Sequence, residues 1–225
     1  MGAAVRLALS DLYYNSIRLV PANIVWAVGA LAIGWVGVSI GPLVALLLAP
    51  LLAFPMFAVA RLAGLIVRRH DVVLSDAWDA VRQRPSRTLL GGILTTMLVV
   101  VLAVNIVIGL LAGSPVGLGL AVMAGWGALA ILVAVLPFWV ILADPQRSQI
   151  GVLDAGRLAA GLLLVRPGRL IGLTLILAFV LLVATALMAA LLTVGLAYAA
   201  LLTARIALPL ADRIAGVAEL APADG

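Results

Sequence analysis

The side chains able to do acid–base or metal chemistry in this chain are few, and their spacing argues against most of it. His70 is the single histidine, set between Arg69 and Asp71, and a lone histidine supplies one ligand where a zinc site needs three or four. There is no cysteine, which excludes disulfides, thiol nucleophiles and cysteine-ligated metal. Asp76 and Asp79 stand three residues apart. At a helix start that spacing serves the positive end of the macrodipole before it serves as a catalytic pair. Ser39 and Ser114 lie in glycine–proline turns with no base near them in sequence. No zinc motif, P-loop or Gly-x-Ser-x-Gly elbow occurs. The reading is a protein that is not an enzyme and uses no cofactor or metal.

The surroundings of these residues explain their scarcity. The chain has 225 residues, of which 66% are hydrophobic and only 10% charged. A soluble domain is about half apolar and about a quarter charged, so water cannot cover this surface and lipid must. The expected class is an all-α integral membrane protein, residues 1–225 forming a single polytopic membrane domain with the lipid bilayer as its first partner. The net charge of +5 then reports orientation and not nucleic acid. All 14 basic residues are arginine, which reads as a GC-rich bacterial genome and a plasma (inner) membrane location. Met1 to Val20 carries Arg6, Asp11 and Arg18 and lacks an apolar core before a small-residue cleavage site, so no cleaved signal peptide is expected.

Charge gaps set out the elements. Residues 19–60, 88–143 and 170–204 carry no charge. One span needs roughly 20 apolar residues, so each run holds a helical hairpin. Six transmembrane helices in three hairpins are expected, near 22–40, 43–66, 88–111, 116–142, 169–187 and 191–210. Ser39-Ile40-Gly41-Pro42 breaks the first run and Gly113-Ser114-Pro115 the second. The third hairpin, 169–210, has no such break, and one long tilted span is left open there. With six spans every arginine falls on one side, which places both termini in the cytosol, N-in and C-in.

Two cytosolic amphipathic surface helices are expected between hairpins. In 75–84, Ser75 serves as N-cap, Leu74, Trp78 and Val81 share one face, and Asp79 can pair with Arg82. The second, 149–165, is more apolar and should lie deeper. Arg84-Pro85-Ser86-Arg87 recurs 82 residues on as Arg166-Pro167-Gly168-Arg169, with Pro55 matching Pro137 and Phe57 matching Trp139. The pattern reads as a parallel internal repeat of 22–87 and 104–169. Pro55 and Pro137 should kink their spans, and Gly37-x-x-x-Gly41 and Gly113-x-x-x-Gly117 suit close helix packing.

An ionisable group in mid-membrane marks an ion or substrate path, and none stands there. Arg61 and Arg205 come nearest. Arg61 lies roughly 9 Å inside the Val67–Arg68 boundary at helical rise, placed to snorkel to the interface or to meet a partner or an anionic lipid. Asn105, near the middle of the third span, is the intramembrane polar contact, expected to hydrogen-bond a neighbouring helix. Arg61, Trp78, Arg82, Arg84, Arg87, Arg166 and Arg169 are the candidate contacts for a partner or lipid.

Asn23-x-x-Trp26, Ser39-Ile40-Gly41-Pro42, Arg61, Arg68-Arg69 and Ser75-Asp76-x-Trp78 follow one another over residues 20–95. In that order they resemble the YesL-like family of small bacterial membrane proteins. His70-Asp71 stands where that family carries a glycine and an acidic residue. The resemblance implies a non-enzymatic accessory subunit of a solute importer, for carbohydrate above all, with an ABC permease or ATPase as partner. It carries over no catalytic residues. A stand-alone channel or uncoupled transporter, a structural envelope protein and a homo-oligomer remain as alternatives.

Overall fold

A computed structural model describes residues 2–68, 70–186 and 191–216. Arg69 and the turn expected between 187 and 191 lie outside them. The described residues form helices and short connections without strands. In lipid every backbone group must be bonded within its own segment, and apolar runs of this length meet that demand as helices.

The order is α1 (Gly2–Tyr14), α2 (Ser16–Ser39), α3 (Pro42–Leu48), α4 (Ala53–Val67), α5 (Leu74–Gln83), α6 (Pro85–Leu111), α7 (Pro115–Leu142), α8 (Val152–Val165), α9 (Pro167–Ala186) and α10 (Leu196–Ile214). Five segments are long and apolar enough to cross a membrane: Ser16–Ser39, Pro42–Val67, Pro85–Leu111, Pro115–Leu142 and Thr193–Ile214. Val152–Val165 and Pro167–Val180 meet at 103°, and taken together as one bent span they raise the number to six.

Three local expectations need correction. The second span breaks at a 3-10 turn, Ala49–Leu52, which contains Pro50. Pro55 stands in the first turn of α4, where a missing N–H costs nothing, so the interruption of the α-helix falls at Pro50. The break receives α6: a Cβ on Gly92 would lie 2.6 Å from the Pro50 carbonyl oxygen and 2.6 Å from Ala53 Cβ. The helix that carries the first span begins earlier, at Ser16, and Leu19, Ala22 and Asn23 on it are buried by tertiary packing. Lastly, the N-cap of α5 stands two residues before the expected Ser75: it is Val73, whose N–H donates to the Asp76 carboxylate at 2.9 Å.

The bundle is uneven. α10 is largely enclosed, while the most apolar part of α6 has almost no fully buried residue. Leu62 of α4, Ile141 and Leu142 of α7, and Leu201, Leu202 and Leu208 of α10 are fully buried together. The α6–α7 hairpin projects from this core on small residues. A Cβ on Gly109 would stand 2.5 Å from the Gly117 carbonyl oxygen, and the turn between the helices uses Gly113 at φ +59°. Gly117, singled out from sequence, therefore packs against Gly109 across the hairpin.

Candidate functional site: a charged layer at one end of the bundle

Three core helices end on the same polar layer. Arg68 caps α4, Asp144 follows α7, Arg147 closes the 3-10 turn Pro145–Arg147, and Asp212 sits in the last turns of α10. Arg68 donates from Nε and Nη2 to Asp144 at 3.3 and 2.8 Å, and from Nη1 and Nη2 to Asp212 at 2.6 and 3.0 Å. Arg147 donates to Asp144 at 2.8 Å and to Asp212 at 2.5 Å. The four side chains are at most 10% exposed, and Asp144 is fully buried. Two cations meet two anions, so the cluster is neutral. A guanidinium fork can serve two carboxylates at once, which a lysine cannot. Burial pushes the Arg68 pKa down, but hydrogen bonds and charge from Asp212 and Asp144 more than offset it, leaving it above the ordinary arginine value.

A second group of arginines closes the end of α7, whose last turn has no basic residue of its own. Arg61 of α4 donates to the Ala143 carbonyl at 3.2 Å, and Arg87 of α6 to Leu142 at 2.7 Å and Ser148 at 2.6 Å. Arg84 donates to the Ser148 carbonyl and, at 3.0 Å, to Gln149. Terminal helix carbonyls lack intrahelical partners and carry partial negative charge, so Arg61 and Arg87 act as C-caps of α7 supplied by neighbouring helices, while Arg84 holds the residues after the 3-10 turn. Arg61 thus reaches the charged end of the bundle, at the carbonyl one residue before Asp144. None of the three pairs with a carboxylate among the described residues, and the Nε atoms of Arg61 and Arg87 are buried without a hydrogen bond.

The two Arg-Pro-x-Arg sequences occupy the same kind of joint. Arg84 has φ −143°, ψ 59° and Arg166 φ −140°, ψ 59°, each ending a shorter helix before proline opens the next. Neither α6 nor α9 has an acidic residue in its first turn, so both place cations at the positive end of a helix dipole. Arg84 and Arg87 are turned onto carbonyls, whereas Arg166 and Arg169 are exposed, their side chains without a hydrogen bond or ion pair among the described residues.

The remaining expected residues fall apart from this layer. Trp78 is half-buried, and the buried face of α5 is Ala77 and Val81. Arg82 is exposed and forms no ion pair with Asp79. Asn105 donates to the Val101 carbonyl of its own helix at 2.7 Å and is exposed, so it does not reach across to a neighbour as expected.

Several residues with clear roles were not singled out in sequence. Asp144, Arg147 and Asp212 are the chief ones. Arg205, named above only for its depth, pairs with Asp11 at 2.6 Å, which fastens α1 to α10. Asn23, quoted above only as part of a motif, is fully buried and accepts the Ala197 N–H at 2.9 Å, next to the π-helical turn Leu191–Gly195. The signal was present as carboxylates at the ends of apolar runs, where an unpaired charge is costly.

Two hollows complete the picture. A polar groove of about 440 Å³ at the charged end is lined by Asp11, Asn15, Arg18, His70 and Asp71. An apolar crevice of about 230 Å³ lies between α2, α7, α9 and α10. Fold and layer together define a multi-pass helical membrane protein. No family model matches the chain, and no match is found among curated proteins or solved structures.

Proposed function

We propose that the chain is a non-enzymatic accessory subunit of a solute importer, six-spanning in the bacterial plasma membrane, with its charged end and both termini in the cytosol. Its partner is an ABC permease or ATPase, and carbohydrate is the favoured cargo class. The observation that carries this reading is the contrast between two sets of arginines. Arg68 and Arg147 are spent on internal carboxylates, whereas Arg82 on α5 is exposed and unspent, beside a half-exposed Trp78. Tryptophan and arginine are the residues that most often anchor protein interfaces. The likeness of residues 20–95 to the YesL-like family points to the importer class.

A stand-alone channel or uncoupled transporter is the second reading. It is less well supported, because the hollow between α2, α7, α9 and α10 has apolar walls, and a hydrophilic solute would need polar ones. Tagged protein taken from native membranes in mild detergent is the test. Recovery of a permease, ATPase or sugar-binding protein, lost on Trp78→Ala with Arg82→Glu, supports the subunit reading. Recovery of this chain alone sinks it and turns attention to solute flux in liposomes or to an envelope role. Cysteine placed at Gln149 should resist impermeant reagents from outside intact cells, and reaction there would reverse the orientation.

A further inference from the structure

We infer that the elbow between α8 and α9 and the crevice beside it form a binding site for one anionic phospholipid. The headgroup phosphate meets Arg166 and Arg169, and an acyl chain enters the crevice. Two independent features point to the same amphiphile.

The first is charge. Arg166 and Arg169 are exposed at the joint where α8 turns by 103° into α9, and neither has a partner among the described residues. Asp154 is already taken by Arg157 at 3.0 Å. Two guanidiniums three residues apart suit a phosphate, which accepts from planar forks.

The second is shape and chemistry. The crevice of about 230 Å³ is lined by Trp26 of α2, Leu136 and Pro137 of α7, Leu173 and Leu177 of α9, and Leu196 of α10. Thr174 also borders it, but its hydroxyl donates to the Leu170 carbonyl at 3.0 Å and asks nothing of a guest. A hollow with such walls stays dry and takes apolar guests.

Helical register joins the two. Arg169 stands four residues before Leu173, which is roughly 6 Å along the axis and nearly the same face. Leu177 continues that line one turn deeper. Headgroup and chain of a single phospholipid span this arrangement, and a free phosphate would leave the crevice empty. The site does not depend on the α5 contact proposed above.

The test uses the full chain, stripped of lipid in detergent and titrated with phosphatidylglycerol, phosphatidylcholine or glycerol phosphate while bound adducts are counted by native mass spectrometry. Phosphatidylglycerol should bind more tightly than phosphatidylcholine, by about 30-fold for two arginines facing an anionic lipid. Arg166→Ala with Arg169→Ala should erase that preference, both side chains being exposed and outside the core. Leu177→Trp, which fills the crevice, should weaken both lipids alike. Equal binding of the two lipids, or an unchanged preference in the double arginine variant, overturns the headgroup site. Binding of glycerol phosphate as tight as that of phosphatidylglycerol, or full lipid binding by Leu177→Trp, overturns the seat of the acyl chain.

Discussion

Asp144→Ala is the most demanding perturbation of this structure. The carboxylate is fully buried and accepts from three guanidinium nitrogens, two of Arg68 and one of Arg147, and from the Gln146 N–H at 3.2 Å. Removing it leaves two buried guanidiniums to share Asp212. Breaking a buried ion pair by deleting one partner costs about 3–5 kcal/mol. The four side chains are no more than 10% exposed, so solvent screening gives little relief. Removing a cation together with an anion behaves differently. Arg68→Met with Asp212→Leu leaves Arg147 and Asp144 as a neutral pair, and such exchanges for apolar side chains are close to neutral in stability. The two single variants should each be costly while the double variant is not. A double-mutant cycle should therefore return a coupling on the order of 3 kcal/mol. The assay is reversible denaturant unfolding in mixed micelles, read by helical circular dichroism. A cost for Asp144→Ala below about 1 kcal/mol, the value for an exposed pair, would refute a buried network. The raised folded-state pKa of Arg68 means its contribution is complete below the unfolded arginine value and lost only as pH rises through the higher folded one. That contribution should stay flat from about pH 6 to about pH 9.

Asn23→Leu leaves the buried Ala197 N–H without an acceptor and should cost about 1–3 kcal/mol, whereas Asn105→Leu, at a lipid-facing site, should change unfolding by no more than about 0.5 kcal/mol. Gly109→Leu drives a side chain into the Gly117 carbonyl and Ala121, so the α6–α7 hairpin should splay, lowering stability by about 1–3 kcal/mol or more and speeding hydrogen exchange in both helices. Thr203 of α10 is fully buried with no hydrogen bond to its hydroxyl among the described residues. Thr203→Val should stabilise the fold by about 1 kcal/mol, and a loss of stability would show that the hydroxyl is bonded.

The positions of the third and fourth spans were legible because in lipid the end of an apolar run is the end of a helix. Pro85–Leu111 and Pro115–Leu142 lie within three residues of the runs expected at 88–111 and 116–142. α8 likewise begins within three residues of its expected start. The position of the break at Pro50 was not legible, since Pro50 and Pro55 look alike until α6 is seen to press Gly92 against the former. Nor was the charged layer. Arg68 meets partners 76 and 144 residues away, and no local pattern announces pairs at that distance. Asp79 and Arg82, at favourable helical spacing, do not pair, because on an exposed face water competes well for both charges.

The neutral cluster also has a direction in time. Arg68, Asp144 and Arg147 leave the ribosome well before Asp212, which arrives on the last described helix. Until α10 is seated, two guanidiniums share one carboxylate, and the bundle carries a surplus positive charge at its core edge. Arrival of Asp212 cancels it in the same step that buries Leu201, Leu202 and Leu208. An assembly interrupted before α10 is therefore both under-packed and electrically unbalanced.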